Sequence, residues 1–241
     1  MKFLDISPLD SINTSLVFEN PECRVIGRIE TYSCKLAGVD KKLYKNLEGR
    51  WNAEITQSQS VSPDQHNFHN IISPFGPMDQ PSSRRTLFNL IATLNASYPD
   101  YDFSDVKPDQ FTKQPSVPMV CNYINNTLFN LGRAYIVNDL NLWQIVDDII
   151  ELDECNVYSF NPDADSDPNA EDGAISSQMI FVYTILCFFF SLSLRWSFNF
   201  FFYNKKLKRI LFFTVRCLSI NAPLQEDEPL DSFSGSESDI K

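Results

Sequence analysis

The chain has 241 residues, 43% of them hydrophobic, and carries a formal net charge of −11. This length allows one domain with a sizeable core together with disordered segments. The acidic balance argues against a protein whose whole surface is a nucleic-acid footprint, although it is compatible with a local basic patch. The six cysteines are scattered without a C-x-x-C pair, which is typical of reduced thiols in the cytosol or nucleus.

The N-terminal part of the chain predicts a short helix and then a strand. Apolar residues recur at helical spacing from Leu9 to Leu16, which favours an amphipathic helix. Residues 25–34 are rich in Ile, Thr and Tyr, as strands are. Arg28 and Glu30 share one parity of this strand, so we expect that side to face solvent.

A polar stretch at residues 47–81 is loaded with Ser, Gln, Asn, Pro and His. Such a composition cannot bury enough apolar area to offset the entropy lost on ordering the chain. We therefore expect a mobile linker here, lying between the two halves of the domain.

Three helices and a strand are predicted after this linker. Residues 82–95, 118–131 and 139–152 each place apolar side chains on one helical face. Residues 155–160 form the predicted strand. The acidic loop at 161–173 lacks the glycine and the final glutamate that a calcium loop requires, so we expect no metal there.

An aromatic hairpin is predicted near the C-terminus. Residues 196–203 alternate with a period of two, and residues 210–215 form a second apolar run, which together indicate two strands joined by a turn. The connection carries four cations: Lys205, Lys206, Lys208 and Arg209. Three interpretations stay open for it: a solvated turn, a nuclear-import signal, or a partner-binding patch.

An acidic, serine-rich tail follows at residues 221–241, and we expect it to be disordered. Ser234 and Ser236 are each followed three residues later by an acid, which makes them candidate phosphorylation sites. A purely solubilising tail is the alternative.

Three sequence boxes resemble the Maf-one family of eukaryotic repressors of RNA polymerase III transcription. The C-terminal box reads W-S-F-N-F-F-F-Y-N-K-K-L-K-R-I, from Trp196. The first box reads I-G-R-I-E-T-Y-S-C-K, from Ile26. The second reads R-R-T-L-F-N-L-I-A-T-L-N, from Arg84, followed by P-D-Y-D-F-S. Three boxes in the same order are far more specific than any one of them.

This resemblance implies binding to RNA polymerase III and obstruction of initiation that depends on the factor TFIIIB. It also implies a phosphorylated linker, shuttling between nucleus and cytoplasm, and contacts with protein kinases, a phosphatase and import receptors. It implies no sequence-specific DNA binding. The candidate linker phosphosites are Ser58, Ser60, Ser62 and Ser73.

An apolar insertion at residues 176–195 departs from the family pattern, which passes almost directly from E-D-G to W-S-F-N. Residues 179–194 carry no charge, and as a helix they would span about 24 Å, short of the roughly 30 Å hydrocarbon core. We favour a retained intron read in frame. The alternatives are a genuine insertion and a membrane anchor formed by residues 179–194.

Catalytic motifs are missing from the sequence, which argues against an enzyme and against a cofactor. His66 and His69 are the two histidines, both lie in the linker, and no phosphate-cradling or dinucleotide-binding glycine motif is present. A membrane-anchored protein and an RNA-binding aromatic sheet are the alternative functions.

We therefore predict a single α/β domain with a mostly antiparallel central sheet flanked by helices. Residues 1–46 and 82–220 form this repressor domain. The disordered linker (47–81) and the disordered acidic tail (221–241) lie outside it.

Overall fold

The computed structural model describes residues 1–21, 23–36, 38–59, 73–163, 167–168 and 196–219. The expectations for the insertion at 176–195 and the tail at 221–241 lie outside the described residues. The same holds for four candidate phosphosites: Ser60, Ser62, Ser234 and Ser236.

One antiparallel sheet organises the described part of the chain. Its strand order is β1-β3-β7-β6-β5-β4, and β2 pairs with the free half of β3. Its seven strands are β1 (Lys2–Leu4), β2 (Val17–Glu19), β3 (Cys23–Ser33), β4 (Phe111–Lys113), β5 (Cys155–Phe160), β6 (Trp196–Asn204) and β7 (Arg209–Ser219).

Helices cover both faces of this sheet. They are α1 (Pro8–Ser15), α2 (Gly38–Gln59), α3 (Pro81–Ser97), α4 (Val117–Asn130), α5 (Ala134–Asn138) and α6 (Leu142–Ile150). Helices α1, α4, α5 and α6 share one hydrophobic core with one sheet face, and α2 and α3 share a second core with the other face. The predicted mostly antiparallel sheet flanked by helices is confirmed.

The hairpin of β6 and β7 lies at the centre because helices pack on both of its faces. Phe198, Phe200 and Phe202 point into the first core, whereas Phe201 and Tyr203 point into the second. All five side chains are buried. The sequence predicted the strand. It did not predict that both faces of the strand would be buried in apolar cores.

Helix α2 corrects the predicted start of the linker. The helix continues to Gln59, and Leu47 and Trp51 are buried in the second core, with Leu43 packed against it. These three residues recur every four positions, which places them on one helical face. The average composition of residues 47–81 hid this short stripe among polar residues.

The helix predicted at residues 139–152 is shorter in the structure, where α6 covers Leu142–Ile150. Asn141 and Glu151 adopt left-handed backbone angles, with φ of 52° and 54°, and bound the nine-residue helix α6. Few non-glycine residues adopt such angles, and each one ends the regular helical path. The separate short helix α5 ends at Asn138, before the predicted range begins.

The membrane interpretation receives no support from the described helices. Within the described ranges, no helix is both long enough and apolar enough to cross a bilayer. Residues 179–194 lie outside those ranges, so the anchor remains an untested alternative for that segment alone.

Candidate functional site

The basic turn between β6 and β7 is rigidly anchored to the fold. Asn204 is fully buried, and its Nδ2 donates to the carbonyl of Ile150 at 2.8 Å. The amide of Leu207 in turn donates to Oδ1 of Asn204 at 2.9 Å. A single buried side chain therefore holds the turn against the C-terminus of α6.

Arg209 contributes to this anchoring more than to the exposed charge of the turn. Its guanidinium donates to the carbonyl of Ile149 at 3.0 Å. A cation is favourable at this end of a helix, where the unpaired carbonyls carry partial negative charge. Of the four predicted basic residues, Arg209 thus supports the fold while the three lysines are exposed.

The three lysines of the turn differ in their neighbours. Lys206 Nζ lies 2.7 Å from a carboxylate oxygen of Glu154, an exposed pair that contributes little stability. The amine of Lys205 lies 5.9 Å from the ring centroid of Tyr203. The carbonyl of Lys208 accepts a hydrogen bond from the amide of Cys34 at 2.8 Å, which ties the turn to the end of β3.

The aromatic side chains of the hairpin cannot form an RNA-stacking platform in this fold. Phe198, Phe201, Phe202, Phe212 and Phe213 are all fully buried. Base stacking requires exposed rings, so the alternative of an RNA-binding aromatic sheet is wrong for this hairpin.

A second candidate site is a polar cleft of approximately 350 Å³ beside the C-terminus of α3. Its lining includes Arg28 and Arg216 from the sheet and Tyr98 and Asp100 from the turn after α3. The guanidinium of Arg28 lies 4.6 Å from the centroid of Tyr98, within the range of a cation–π contact. Cations, an anion and aromatic rings therefore share this cleft.

Arg28 is the centre of a network that joins β3 to α3. Its Nε lies 3.1 Å from Oε1 of Glu30, and its Nη2 donates to the hydroxyl and the carbonyl of Ser97 at 2.8 and 3.1 Å. Ser97 and Tyr32 both donate to Oε2 of Glu30. The expected solvent-facing side of β3 is therefore only partly exposed, because the end of α3 packs over it.

The buried hydroxyl of Tyr32 stays protonated in this network. Burial raises its pKa first, and the negative charge of Glu30 raises it further. A protonated phenol can donate to the carboxylate at neutral pH.

The candidate phosphosites within the described ranges have different settings. Ser73 is buried, and its hydroxyl oxygen accepts a hydrogen bond from the amide of Phe75 at 3.2 Å. A kinase would therefore reach Ser73 only after this turn opens. Ser58 lies in the last turn of α2, which ends at Gln59. The phosphorylation of either serine stays a prediction.

The thiols of four described cysteines have little nucleophilic character. Burial raises the pKa of Cys34 and Cys155 to about 12 and the pKa of Cys121 to about 11. Burial also raises the pKa of Cys217 well above its ordinary value. Nucleophilic cysteines have lowered pKa values instead, so these thiols are suited to packing and not to catalysis.

The described elements form a two-sided helix–sheet sandwich with an anchored, exposed basic turn. The model of the family described as "Maf1 regulator" matches residues 25–185. The chain belongs to this Maf1 family.

Curated relatives extend the likeness over nearly the whole chain. The repressor of RNA polymerase III transcription maf1 of Schizosaccharomyces pombe is 41% identical over 220 residues, which cover 90% of this chain and 83% of the relative. A Dictyostelium discoideum protein named repressor of RNA polymerase III transcription is 31% identical over 284 aligned positions, covering 97% and 94%.

Solved structures agree with the fold. Two crystal structures of citrus MAF1 superpose with TM-scores of 0.58 and 0.59, at 35% and 33% sequence identity. The matches cover 88% and 89% of this chain and 98% of each citrus chain. The likeness therefore spans essentially the whole citrus structure.

Proposed function

We propose that this protein represses RNA polymerase III transcription by binding the polymerase and blocking TFIIIB-dependent initiation. The observation that carries the proposal is the 41% identity over 90% of the chain with a fission-yeast repressor of this polymerase. Identity at that level over such a length supports a shared activity, whereas a shared fold alone would not.

An exposed, preordered turn is compatible with a mechanism in which the protein occupies a partner surface. The turn at Lys205, Lys206 and Lys208 is exposed and preorganised by Asn204. A preordered surface loses less entropy on binding than a flexible one, which suits it to protein contacts.

Repression should be directly visible in a reconstituted reaction. Purified protein is expected to reduce TFIIIB-dependent transcription from a polymerase III promoter in a dose-dependent way, because it would compete for the same polymerase. Transcription by the same polymerase from a tailed template, which needs no initiation factor, is the matched control. A saturating dose that leaves promoter-dependent transcription unchanged, both with and without residues 176–195, would refute the proposal.

Regulation would act through location and phosphorylation. We propose that the protein shuttles between nucleus and cytoplasm, and that phosphates on the candidate linker serines keep it from the nuclear polymerase. A phosphate adds about −1.5 to −2 charges at neutral pH, enough to change docking. Kinases, a phosphatase and import receptors are the partners that this regulation requires.

The import role of the basic turn can be separated from its structural role. Changing Lys205, Lys206 and Lys208 to alanine is expected to reduce nuclear accumulation while keeping the melting temperature, since the anchors Asn204 and Arg209 are retained. The measurement is the nuclear fraction of a fluorescent fusion in cells.

The exposed residues Lys107 and Lys113 provide the control for this import test, because changing them to alanine also removes lysines but at another place. Unchanged nuclear accumulation of the triple variant would reject the import role and leave the turn a solvated surface.

A further inference from the structure

Exposed lysines from three separate segments lie at one end of the sheet, which we call the lysine surface. The segments are residues 1–4, 33–45 and 205–208, and together they hold eight lysines and one acid. All eight lysines are exposed. The acid, Asp40, is buried and pairs with the amine of Met1, so it does not offset the lysines. This local charge contrasts with the net charge of −11 for the whole chain.

Strand pairing places the three segments side by side. Lys2 of β1 pairs with Ser33 of β3, and Ser33 pairs with Arg209 of β7. The amide of Cys34 donates to the carbonyl of Lys208 at 2.8 Å. Because neighbouring strands lie about 4.8 Å apart, the start of β1, the end of β3 and the basic turn form one continuous edge.

Helix α2 brings more lysines to this edge. Its first turn is held beside the start of β1 by the ion pair between Asp40 and the amine of Met1. Lys41, Lys42 and Lys45 lie in the first two turns of the helix and are exposed, because the apolar face of α2 packs into the second core. The lysine surface therefore extends over the side of the sheet that carries α2.

Two apolar side chains are exposed among these lysines. Phe3 is 54% exposed and Leu207 is 36% exposed. Phe3 follows Lys2, and its ring packs edge-on against the ring of Tyr32, with centroids 5.7 Å apart. Leu207 lies in the basic turn, where its amide donates to Oδ1 of the buried Asn204. Both apolar side chains are thus presented from a well-anchored edge.

Exposed apolar residues between lysines fit the surface of an anionic bilayer. The lysine amines would lie among the lipid phosphates while the apolar side chains enter the boundary of the acyl chains. Each cation near an anionic leaflet strengthens binding by about fivefold. Lysine is a point charge on a flexible stem, whereas the planar guanidinium of arginine suits phosphates in a fixed arrangement. The all-lysine composition therefore favours fluid lipid headgroups over a nucleic-acid backbone.

The acidic remainder of the chain is compatible with such binding. Exposed charges more than about 10 Å from a bilayer are largely screened at 0.1 M ionic strength. Glu151, Asp153 and Glu154 border the lysine surface, but they follow α6, which packs on the opposite face of the sheet from α2. Glu154 already pairs with Lys206 at 2.7 Å. The side that carries α2 is thus the more positive one.

We propose that the lysine surface binds an anionic phospholipid bilayer, with the α2 side facing the headgroups and with Phe3 and Leu207 entering the interface. Such binding is peripheral and reversible, because no element spans the bilayer. It is independent of the proposed repression, since charge, exposure and strand register alone carry it. The apolar insertion at residues 176–195 has no part in it.

Partition of the full-length protein onto lipid vesicles tests the charge requirement. Vesicles of two parts phosphatidylcholine to one part phosphatidylserine are compared with vesicles of phosphatidylcholine alone. The protein should bind the anionic vesicles, and Lys41→Gln with Lys42→Gln should weaken this binding about tenfold or more. Lys107→Gln with Lys113→Gln removes the same charge from exposed positions elsewhere and should leave binding nearly unchanged.

Two further variants test the apolar contacts. Phe3→Ala should weaken binding several-fold, whereas Phe129→Ala, which removes a similarly exposed ring from α4, should not. In Leu207→Trp, the added fluorescence should shift to the blue on anionic vesicles and be quenched by brominated acyl chains. The difference spectrum against the unchanged protein isolates this signal.

Four results would overturn the proposal. They are the absence of binding to anionic vesicles, equal binding to neutral vesicles, equal effects of the two lysine pairs, and a Leu207→Trp signal that brominated lipids leave unquenched. Binding through the apolar insertion would be insensitive to lipid charge and to Lys41 and Lys42, so it falls among these results. A DNA duplex that displaces the protein from the vesicles in a manner dependent on Lys41 and Lys42 would make nucleic acid the occupant and would also overturn it.

Discussion

Replacing Phe201 with alanine is expected to lower the free energy of unfolding by about 3 to 5 kcal/mol. The ring is fully buried and lies 4.6 Å from the ring of Phe212 on the paired strand, nearly parallel to it at 28°. Natural domains are stable by only about 5 to 15 kcal/mol. Urea denaturation followed by circular dichroism should therefore show a large loss of stability or an unfolded protein.

The matched control for this change is Phe129, a half-exposed phenylalanine on α4. Its replacement by alanine removes the same ring from a place that water already reaches, so the expected loss is below about 1 kcal/mol. If both replacements lowered the free energy of unfolding by similar amounts, this would contradict the central place assigned to the β6–β7 hairpin.

Replacing Arg28 with methionine should cost about 1 to 3 kcal/mol, because Glu30 would lose its cation in a partly buried site. The side chains of Arg28 and Glu30 are 33% and 19% exposed, which moderates the cost relative to full burial. The change would also remove both hydrogen bonds to Ser97. Thermal or urea unfolding measures the effect.

The same strand offers the control for Arg28. Arg24 pairs with Glu19 at 3.3 Å, but these side chains are 56% and 63% exposed, and such surface pairs contribute only about 0 to 1 kcal/mol. Arg24→Met should be nearly neutral. If it destabilised the protein as much as Arg28→Met, the network with Ser97 would have no special role.

The spacing of apolar residues in the sequence predicted those helices and strands in which the spacing repeats over several turns or pleats. The period-two run around Phe200 identified β6, and the helical stripe from Leu87 to Leu94 identified α3. Strands β1, β2 and β4 have three residues each, which is too short to show a period. Their positions depend on pairing with distant partners, which sequence spacing does not reveal.

The candidate sites could be predicted from the sequence less fully than the helices and strands, because their residues are distant in the chain. The cations of the basic turn are visible in the sequence, but the anchoring role of Arg209 depends on Ile149, 60 positions away. Arg28 meets Ser97 across 69 positions.

The Maf1 resemblance identified from three boxes is confirmed by the family match and by relatives over most of the chain. The boxes correspond to structural parts: the first covers most of β3, the second lies in α3 and the turn after it, and the third covers β6, the basic turn and the first two residues of β7. They meet in one sandwich, where Asn89 of α3 donates to the hydroxyl of Tyr203 at 2.7 Å. Their joint recurrence thus has a physical basis in packing.

Competition for the polymerase tests the central proposal most directly. Purified protein is incubated with RNA polymerase III, and the complex is then offered to TFIIIB assembled on promoter DNA. The account predicts that the protein binds the polymerase and that prior binding prevents recruitment to the promoter complex. Recruitment that proceeds equally with and without saturating protein, or the absence of any binding to the polymerase, would contradict it.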